Sequence, residues 1–296
     1  MTFTPAVEIH GLTKRFGTHT VLDQLHLDIG GGIVALLGRN GAGKTTLINV
    51  LATLLHPDVG TARVFGHDVV REGAAVRRLI GVTGQFTAVD EQLTGRENLV
   101  MMGRLFGLRP GAARRRADDL LDRFDLAEHA ARRAGSYSGG MRRRLDLAIS
   151  LLCAPRLIVL DEPTTGLDTV SRSALWDEVR HLATREVTVL LTTQYLEEAD
   201  ALADRVVVLD AGRIVADGSP DALKARVGSD VVDVLDPLGR TQRSLPTDGT
   251  AAGSARVLAS LAPSTRVLIR RPTMDEVFVQ LTSGTTPSPD REEVAS

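Results

Sequence analysis

The chain has 296 residues, of which 43% are hydrophobic and 24% charged, and its formal net charge is −2. These values are typical of a globular protein with one large domain and room for a small one, and the charge balance argues against nucleic-acid binding through bulk electrostatics. No stretch approaches about 18 apolar residues, and the first residues carry no signal-peptide pattern, so we expect a cytoplasmic protein. The single cysteine, Cys153, rules out an intrachain disulfide, and we expect it to lie buried in a helix.

A glycine-rich loop follows the first predicted strands. Residues 7–9 and 25–29 predict strands of an antiparallel edge sheet, and the apolar run 33–37 predicts a buried strand. The next nine residues fit the pattern G-x-x-x-x-G-K-[ST] at every fixed position and precede a predicted helix start, which is the context that this motif requires. The sequence therefore predicts a nucleoside-triphosphate site formed by Gly38, Arg39, Asn40, Gly41, Ala42, Gly43, Lys44, Thr45 and Thr46.

The residue types in this loop suit phosphate chemistry. Glycines let backbone N–H groups surround the phosphates, the ammonium of Lys44 contacts the terminal phosphates, and the hydroxyl of Thr45 can ligate Mg²⁺. Only three of the 35 basic residues are lysines, so the lysine here fits selection for a compact point charge.

The middle of the chain, about residues 86–150, is predicted to be mostly helical. Thr94 and Glu97 form a capping box that starts a helix reaching about residue 106, and a second helix starts within 112–124. A second phosphate-facing loop then precedes an amphipathic helix with apolar residues at three-to-four spacing. Three arginines in its first turn indicate either a nearby anion or a solvated basic face. The loop residues are Ser138, Gly139, Gly140 and Met141.

Two carboxylates end the next predicted strand. The run 157–160 is wholly apolar, as in a central parallel strand, and Asp161 and Glu162 follow it. Strand alternation predicts that these two side chains point to opposite faces. Asp161 suits a Mg²⁺ shell and Glu162 suits polarisation of an attacking water, although acids at a strand end are also common as helix caps.

Polar residues also follow the next two elements. Asp168 in the sequence Gly-Leu-Asp predicts an N-cap for the amphipathic segment 170–182. Gln194 ends the predicted strand 187–193, where its amide can donate to a phosphate oxygen.

The composition changes after Lys224. Segments 231–235 and 266–269 predict strands, 255–262 is weakly helical, and Thr273 with Glu276 caps a last helix ending near residue 281. The tail 283–296, rich in Ser, Thr and Pro, is expected to be disordered. We therefore predict a nucleotide-binding domain at 1–227 and a small domain at 228–282.

Over about residues 6–225 these motifs closely resemble the ATP-binding subunit of an ABC transporter. The resemblance implies an α/β fold: a P-loop NTPase core with an antiparallel edge sheet and a helical signature subdomain, plus a small α+β C-terminal extension. It implies ATP and Mg²⁺ as cofactors. Phe16 matches the aromatic residue that stacks on adenine, although Tyr is usual there and a core Phe is the alternative. Gln85 matches the loop glutamine that senses Mg²⁺ and faces the membrane partner.

The second glycine loop matches the signature of this family, with Tyr137 and Met141 in place of the usual Leu and Gln. The Gly-Leu-Asp sequence ending at Asp168 matches the loop that crosses between two subunits. Gln194 stands where the family generally has a switch histidine, and glutamine carries no proton charge near neutral pH, so the histidine-dependent part of the mechanism would differ. The segments 137–143, 192–200 and 272–278 look like the daunorubicin-resistance-type branch of exporters.

The resemblance implies a homodimer around two ATP molecules, each held by Lys44 and Thr45 of one copy and Ser138 and Gly140 of the other. Lys44, Glu162 and Gln194 are the implied catalytic residues. Hydrolysis would drive a separate membrane permease, which holds the chain at the inner face of the membrane. The alternative is a soluble ABC ATPase without a permease, acting in translation or DNA repair. Such proteins usually fuse two ATPase domains or insert a long coiled coil, and this chain has neither.

Overall fold

The computed structural model describes residues 4–84, 88–184, 187–227 and 230–283. Gln85 and the tail from residue 284 lie outside the described residues. The chain divides into two compact units, Met1–Ile214 and Val215–Ser296. The domain limit predicted at residue 227 from composition stays a prediction. Within the described ranges, no helix has the length and apolar character needed to cross a membrane.

Residues 7–218 form two sheets. The four-stranded sheet is antiparallel and has the order β2-β1-β4-β5, and the six-stranded sheet has the order β10-β9-β3-β8-β7-β6. The neighbours from β9 to β6 all pair in parallel. The strands are β1 (Val7–Phe16), β2 (His19–Ile29), β3 (Ile33–Leu37), β4 (Val59–Val64), β5 (His67–Asp68), β6 (Ile80–Thr83), β7 (Leu157–Asp161), β8 (Thr188–Thr193), β9 (Arg205–Asp210) and β10 (Arg213–Gly218).

Helices of the first unit begin where the local sequence supplies caps. Thr94 and Glu97 form the predicted capping box of α3, and the side chains of Ser138 and Asp168 accept hydrogen bonds from the first turns of α5 and α6. The helices are α1 (Lys44–Leu51), α2 (Gly73–Leu79), α3 (Gly95–Leu105), α4 (Pro110–Arg123), α5 (Gly139–Ser150), α6 (Thr169–Ala183) and α7 (Leu196–Leu202), with short 3₁₀ turns at Ala127–His129 and Ala134–Ser136.

Strands β3, β7 and β8 are buried along their whole length, as expected for parallel strands covered on both faces. Because neighbouring parallel strands end at the same edge of a sheet, the residues that follow these three strands lie close together. This edge therefore receives the glycine-rich loop after Leu37, the carboxylates at Asp161 and Glu162, and Gln194.

The expectation for Cys153 was wrong, because this side chain is exposed. The helix α5 ends at Ser150, and Leu151 and Leu152 bury their side chains in the turn that follows. The chain then reverses through Ala154 at φ 49° before Pro155, which leaves Cys153 on the outside of the turn.

The second unit is built around the strand β11 (Val231–Leu235), which is antiparallel to both neighbours in the order β12-β11-β13. Both predicted strands are confirmed, but β12 was not predicted because its side chains are polar and mostly exposed. The helix α9 begins four residues before the predicted segment, where Thr250 caps it. The remaining elements are α8 (Pro220–Val227), β12 (Thr241–Pro246), α9 (Ala251–Ala259), β13 (Arg266–Arg270) and α10 (Met274–Ser283).

An ion-pair network around the buried Asp233 connects three elements of this unit. Arg270 Nε donates to Asp233 Oδ2 at 2.6 Å, and Arg270 Nη2 donates to Glu276 Oε1 at 2.8 Å. Burial raises the pKa of Asp233, but hydrogen bonds from Ser244 and Arg270 outweigh it and hold that pKa below its usual value. Hydrogen bonds from Arg270 likewise lower the pKa of Glu276. Both carboxylates therefore contribute stability that is present at neutral pH and is lost as pH falls through their lowered folded-state pKa values.

We expect Arg270→Met to destabilise the second unit by about 2 kcal/mol, less than for a fully buried pair because Arg270 is partly exposed. The variant should also reverse the acid response. Asp233, left buried without its cation, will have a raised pKa, so acidification will stabilise the unit. Both effects are measured by following the hydrogen-exchange protection of β11 and β13 as a function of pH. The protection is corrected for the pH dependence of intrinsic exchange. Arg256→Met, which removes an exposed pair with Asp248, is the control and should change little.

Candidate functional site

The glycine-rich loop joins β3 to α1, and two of its glycines are required by geometry. A Cβ on Gly38 would lie 2.4 Å from the carbonyl oxygen of Leu209, so no side chain fits at the end of β3. Gly43 has φ 106°, and a Cβ there would lie 2.6 Å from Leu22 Cδ2. Gly43 is also the N-cap of α1 and offers no side-chain cap, so the helix leaves its first N–H groups available to an anion.

Lys44 lies inside this loop with only 6% of its surface exposed. Its Nζ donates to the carbonyl oxygens of Gly38 at 2.6 Å and Arg39 at 3.1 Å. Burial lowers the pKa of Lys44, while the nearby carboxylates of Glu162 and Asp161 act in the opposite direction. The structure therefore brings together the lysine and both acids that the sequence singled out.

A cavity of about 430 Å³ opens over the loop. Thr45 is exposed on it, and Glu162 lies on its wall, so a phosphate held by the loop would face the carboxylate. The lining residues are His19, Val21, Arg39, Asn40, Gly41, Gly43, Lys44, Thr45, Thr46 and Glu162.

Phe16 ends β1 with 49% of its surface exposed, which excludes the alternative of a core phenylalanine. The Nζ of Lys14 lies 5.5 Å from the centroid of its ring. An exposed ring beside a cation offers a face on which a planar base can stack.

The two acids differ in conformation, and strand alternation does not apply to Glu162, which lies beyond the end of β7. Asp161 is the last residue of β7, is 4% exposed, and accepts a hydrogen bond from Thr192 Oγ1. Glu162 has left the strand and has φ 48°. Its backbone N–H donates to both the carbonyl oxygen and the hydroxyl of Thr192, and its carboxylate accepts from Thr165 Oγ1 at 3.3 Å.

A left-handed backbone at a glutamate is uncommon and persists only when the surroundings hold it. The bonds to Thr192 supply that restraint. The Glu162 carboxylate is thereby placed between the loop cavity and a second cavity of about 440 Å³, both of which it lines. The residues that line the second cavity are Gly84, Gly139, Arg142, Arg143, Asp161, Glu162, Thr165, Gly166 and Leu167.

The second glycine loop forms the start of α5. Ser138 is its N-cap and accepts a hydrogen bond from the N–H of Met141 at 3.2 Å. Gly139 lines the second cavity, whereas Gly140 packs against α6, where an added Cβ would lie 2.5 Å from Ser171 Oγ. Within one copy of the chain this loop therefore faces the second cavity, on the other side of Glu162 from Lys44.

Asp168 and Gln194 are not among the residues that line the two cavities. Asp168 caps α6 as predicted, since its carboxylate accepts from the N–H and hydroxyl of Ser171. Those hydrogen bonds lower the pKa of Asp168. Gln194 is exposed and directly follows β8.

The three arginines at the start of α5 do not form a solvated face. Arg142 pairs with Glu91 at 2.7 Å, and Arg144 donates to the carbonyl oxygen of Phe124 at 3.0 Å. The side chain of Arg143 is only 12% exposed and reaches the segment around Glu162. Sequence reasoning did not assign Arg143 a role, because its partners are distant along the chain.

The fold and this site define a P-loop nucleotide-binding protein of the ATP-binding cassette type. The family model described as ABC transporter matches residues 22–165. Daunorubicin resistance ATP-binding protein DrrA3 of Streptomyces coeruleorubidus is 50% identical over 302 residues, covering 94% of this chain and 96% of that protein. Daunorubicin/doxorubicin resistance ATP-binding protein DrrA of Streptomyces peucetius is 56% identical over 230 residues, covering 77% of this chain and 70% of that protein.

A solved structure described as the ATP-binding subunit of an ABC transporter superposes with a TM-score of 0.67 at 27% identity, covering 75% of this chain and 92% of that chain. The chain therefore belongs to the ABC transporter family, as an ATP-binding and ATP-hydrolysing subunit. The predicted fold class and the family resemblance are confirmed.

Proposed function

We propose that this chain powers export of drug-like, hydrophobic compounds through a separate membrane permease, to which it binds at the inner face of the membrane. The observation that carries the ATPase part is the convergence of Lys44, Asp161 and Glu162 at the end of the parallel sheet. The export part is supported by the two resistance proteins named above, which match across most of this chain.

The proposed working form is a homodimer with two composite sites. In one copy, Lys44 and Thr45 face the first cavity, whereas Gly139 faces the second. Because the two glycine loops face different cavities, they favour a dimer in which two copies are related by a two-fold axis and each completes the site of the other. The loop at Ser138 and Gly140 of one copy then meets the phosphates that the other copy holds.

The residues also fit Mg²⁺ as a cofactor. The hydroxyl of Thr45 and the carboxylate of Asp161 are hard oxygen donors, the type that Mg²⁺ prefers, and both lie near Lys44. Bound there, Mg²⁺ would neutralise charge on the phosphates. Gln85, the third residue proposed to sense the ion, lies outside the described residues.

Export can be tested directly. The chain is co-expressed with a candidate permease, an integral membrane protein from the same genome, and ATP-dependent movement of doxorubicin is followed in inverted membrane vesicles. Transport that requires both chains and stops in a Glu162→Gln variant supports the proposal. ATPase activity that is undiminished without any membrane protein, together with no transport of any hydrophobic probe, contradicts the export role while leaving the ATPase role intact.

Gln194 gives a separate prediction about hydrolysis. If its amide donates to the γ-phosphate, Gln194→Ala should lower turnover by about tenfold and leave ATP affinity nearly unchanged, because the loop around Lys44 still holds the phosphates. Gln194→His should introduce a titration at about pH 6.5, the usual imidazole value. The measurement is kcat against pH for the three proteins, with exposed Gln92→Ala as the control. Three superimposable profiles would show that residue 194 does not participate.

A further inference from the structure

Arg143 and Asp146 form an ion pair on α5, the helix that begins with the second glycine loop. They are three residues apart and so share one face of the helix, with Arg143 Nη1 at 3.1 Å from Asp146 Oδ2. The side chain of Asp146 is 3% exposed and that of Arg143 is 12% exposed. A pair this deeply buried costs desolvation that its own attraction rarely recovers, so stability alone is a poor reason for its presence.

The arginine holds the backbone on both sides of the catalytic glutamate. Its Nε donates to the carbonyl oxygen of Pro163 at 2.9 Å, and its Nη2 donates to the carbonyl oxygen of Asp161 at 3.4 Å. These two residues directly flank Glu162. The backbone of Glu162 is left-handed at φ 48° and needs such restraints from its neighbours.

The same pair also holds both ends of a second segment. Arg143 Nη1 donates to the carbonyl oxygen of Gly84 at 3.3 Å, and Asp146 Oδ1 accepts from the N–H of Ala88 at 3.0 Å. Gly84 and Ala88 flank residues 85–87 in the sequence. One ion pair on α5 is therefore bonded to two segments that are far from it and from each other along the chain.

Only arginine can make this set of bonds. The planar guanidinium presents its N–H groups as a rigid fork in several directions, and here all three nitrogens donate to protein oxygens. An ammonium at the end of a lysine is a single point and cannot reach both sides of Glu162 at once.

We propose that the Arg143–Asp146 pair is a positioning unit, which fixes the Glu162 carboxylate for attack on ATP and ties its position to that of the helix α5. This inference rests on the proposed role of Glu162 as the group that polarises the attacking water. A movement of α5, such as contact of its first turn with the nucleotide of a second copy, is then transmitted to the Glu162 segment through Arg143.

The test uses the full-length chain and a double-mutant cycle. Arg143→Met should lower kcat by about ten- to a hundredfold, the range for a displaced catalytic group, with KM and ATP affinity changed by less than about twofold. In a Glu162→Gln background, measured in single turnovers, Arg143→Met should have almost no further effect, because the carboxylate that it positions is already absent. Arg143→Lys should give an intermediate kcat.

Arg116→Met is the matched control. Arg116 is also a partly buried arginine, and it is bonded to the carbonyl oxygens of Leu151 and Leu152 in the turn that directly follows α5. Its loss should lower the melting temperature without changing kcat. If Arg143→Met does not fold, the same cycle is run with Arg143→Lys.

A failure of the proposal for Arg143 can be distinguished from a failure of the proposed role of Glu162. Equal losses of kcat from the Arg143 variant in both backgrounds, or an unchanged kcat in the wild-type background, would overturn the positioning role. If Glu162→Gln alone leaves kcat unchanged, the proposed role of Glu162 is wrong, and the inference about Arg143 falls with it.

Discussion

Glu162→Gln should bind ATP normally and hydrolyse it at least about a hundredfold more slowly, the loss expected when a general base is removed. The substitution preserves the shape of the side chain, and the amide oxygen can still accept from Thr165 Oγ1. The left-handed backbone at residue 162 also stays restrained, because its bonds to Thr192 are made by the main chain. The variant therefore removes a proton acceptor and little else.

Slow hydrolysis should also preserve the ATP-bound dimer. We expect Glu162→Gln to elute as a dimer from a sizing column in ATP and Mg²⁺ and as a monomer without nucleotide. Glu128→Gln, the same change at an exposed position outside the site, should behave as wild type. A Glu162→Gln protein that stays monomeric at saturating ATP, even with its permease, would count strongly against composite sites.

The parts of the site that the sequence predicted are governed by short-range rules. The loop at residues 38–46 needs particular residues at fixed spacing, and the capping boxes at Thr94 and Thr273 satisfy helix N–H groups from three residues away. The burial of β7 can be predicted because the four residues before Asp161 are all apolar. Each of these features can be recognised without knowing what the distant chain contributes.

The features that were missed depend on distant partners or on weak patterns. The backbone of Glu162 is bonded to Thr192, 30 residues away, and the side chain of Arg143 is bonded to Gly84, 59 residues away. Strand alternation does not apply to Glu162, because β7 ends at Asp161. The strand β12 lies at a sheet edge with exposed polar side chains, so it lacks the apolar alternation by which strands are recognised.

Two inactive variants should restore activity when they are combined. Lys44→Met removes the ammonium from the first glycine loop and should reduce ATP binding in its own copy. Gly139→Asp places a carboxylate at the start of α5, where it should repel the phosphates held by the other copy. An added Cβ at Gly139 meets only Leu167 Cδ2, at 4.0 Å, and an acid suits the first turn of a helix, so the variant should fold. Alone, each should lose at least about tenfold in ATPase rate.

A mixed dimer carries both changes in one site and neither in the other. With random pairing of equal amounts, and sites that act independently, the mixture should recover about a quarter of wild-type activity. Gly139→Asn introduces a side chain of the same shape as Asp but without the charge, so it should lose less activity than Gly139→Asp. The comparison separates the effect of charge repulsion from the effect of side-chain size. If the ATPase rate of the mixture is only the average of the rates of the two variants, while each mixed dimer still binds one ATP, the two sites hydrolyse ATP only when both are intact. The other outcome is that the mixture shows that average and that ATP binding is not coupled to association of the subunits. Each site then belongs to a single copy, and the proposed sharing of Lys44 and Gly139 across the dimer is wrong.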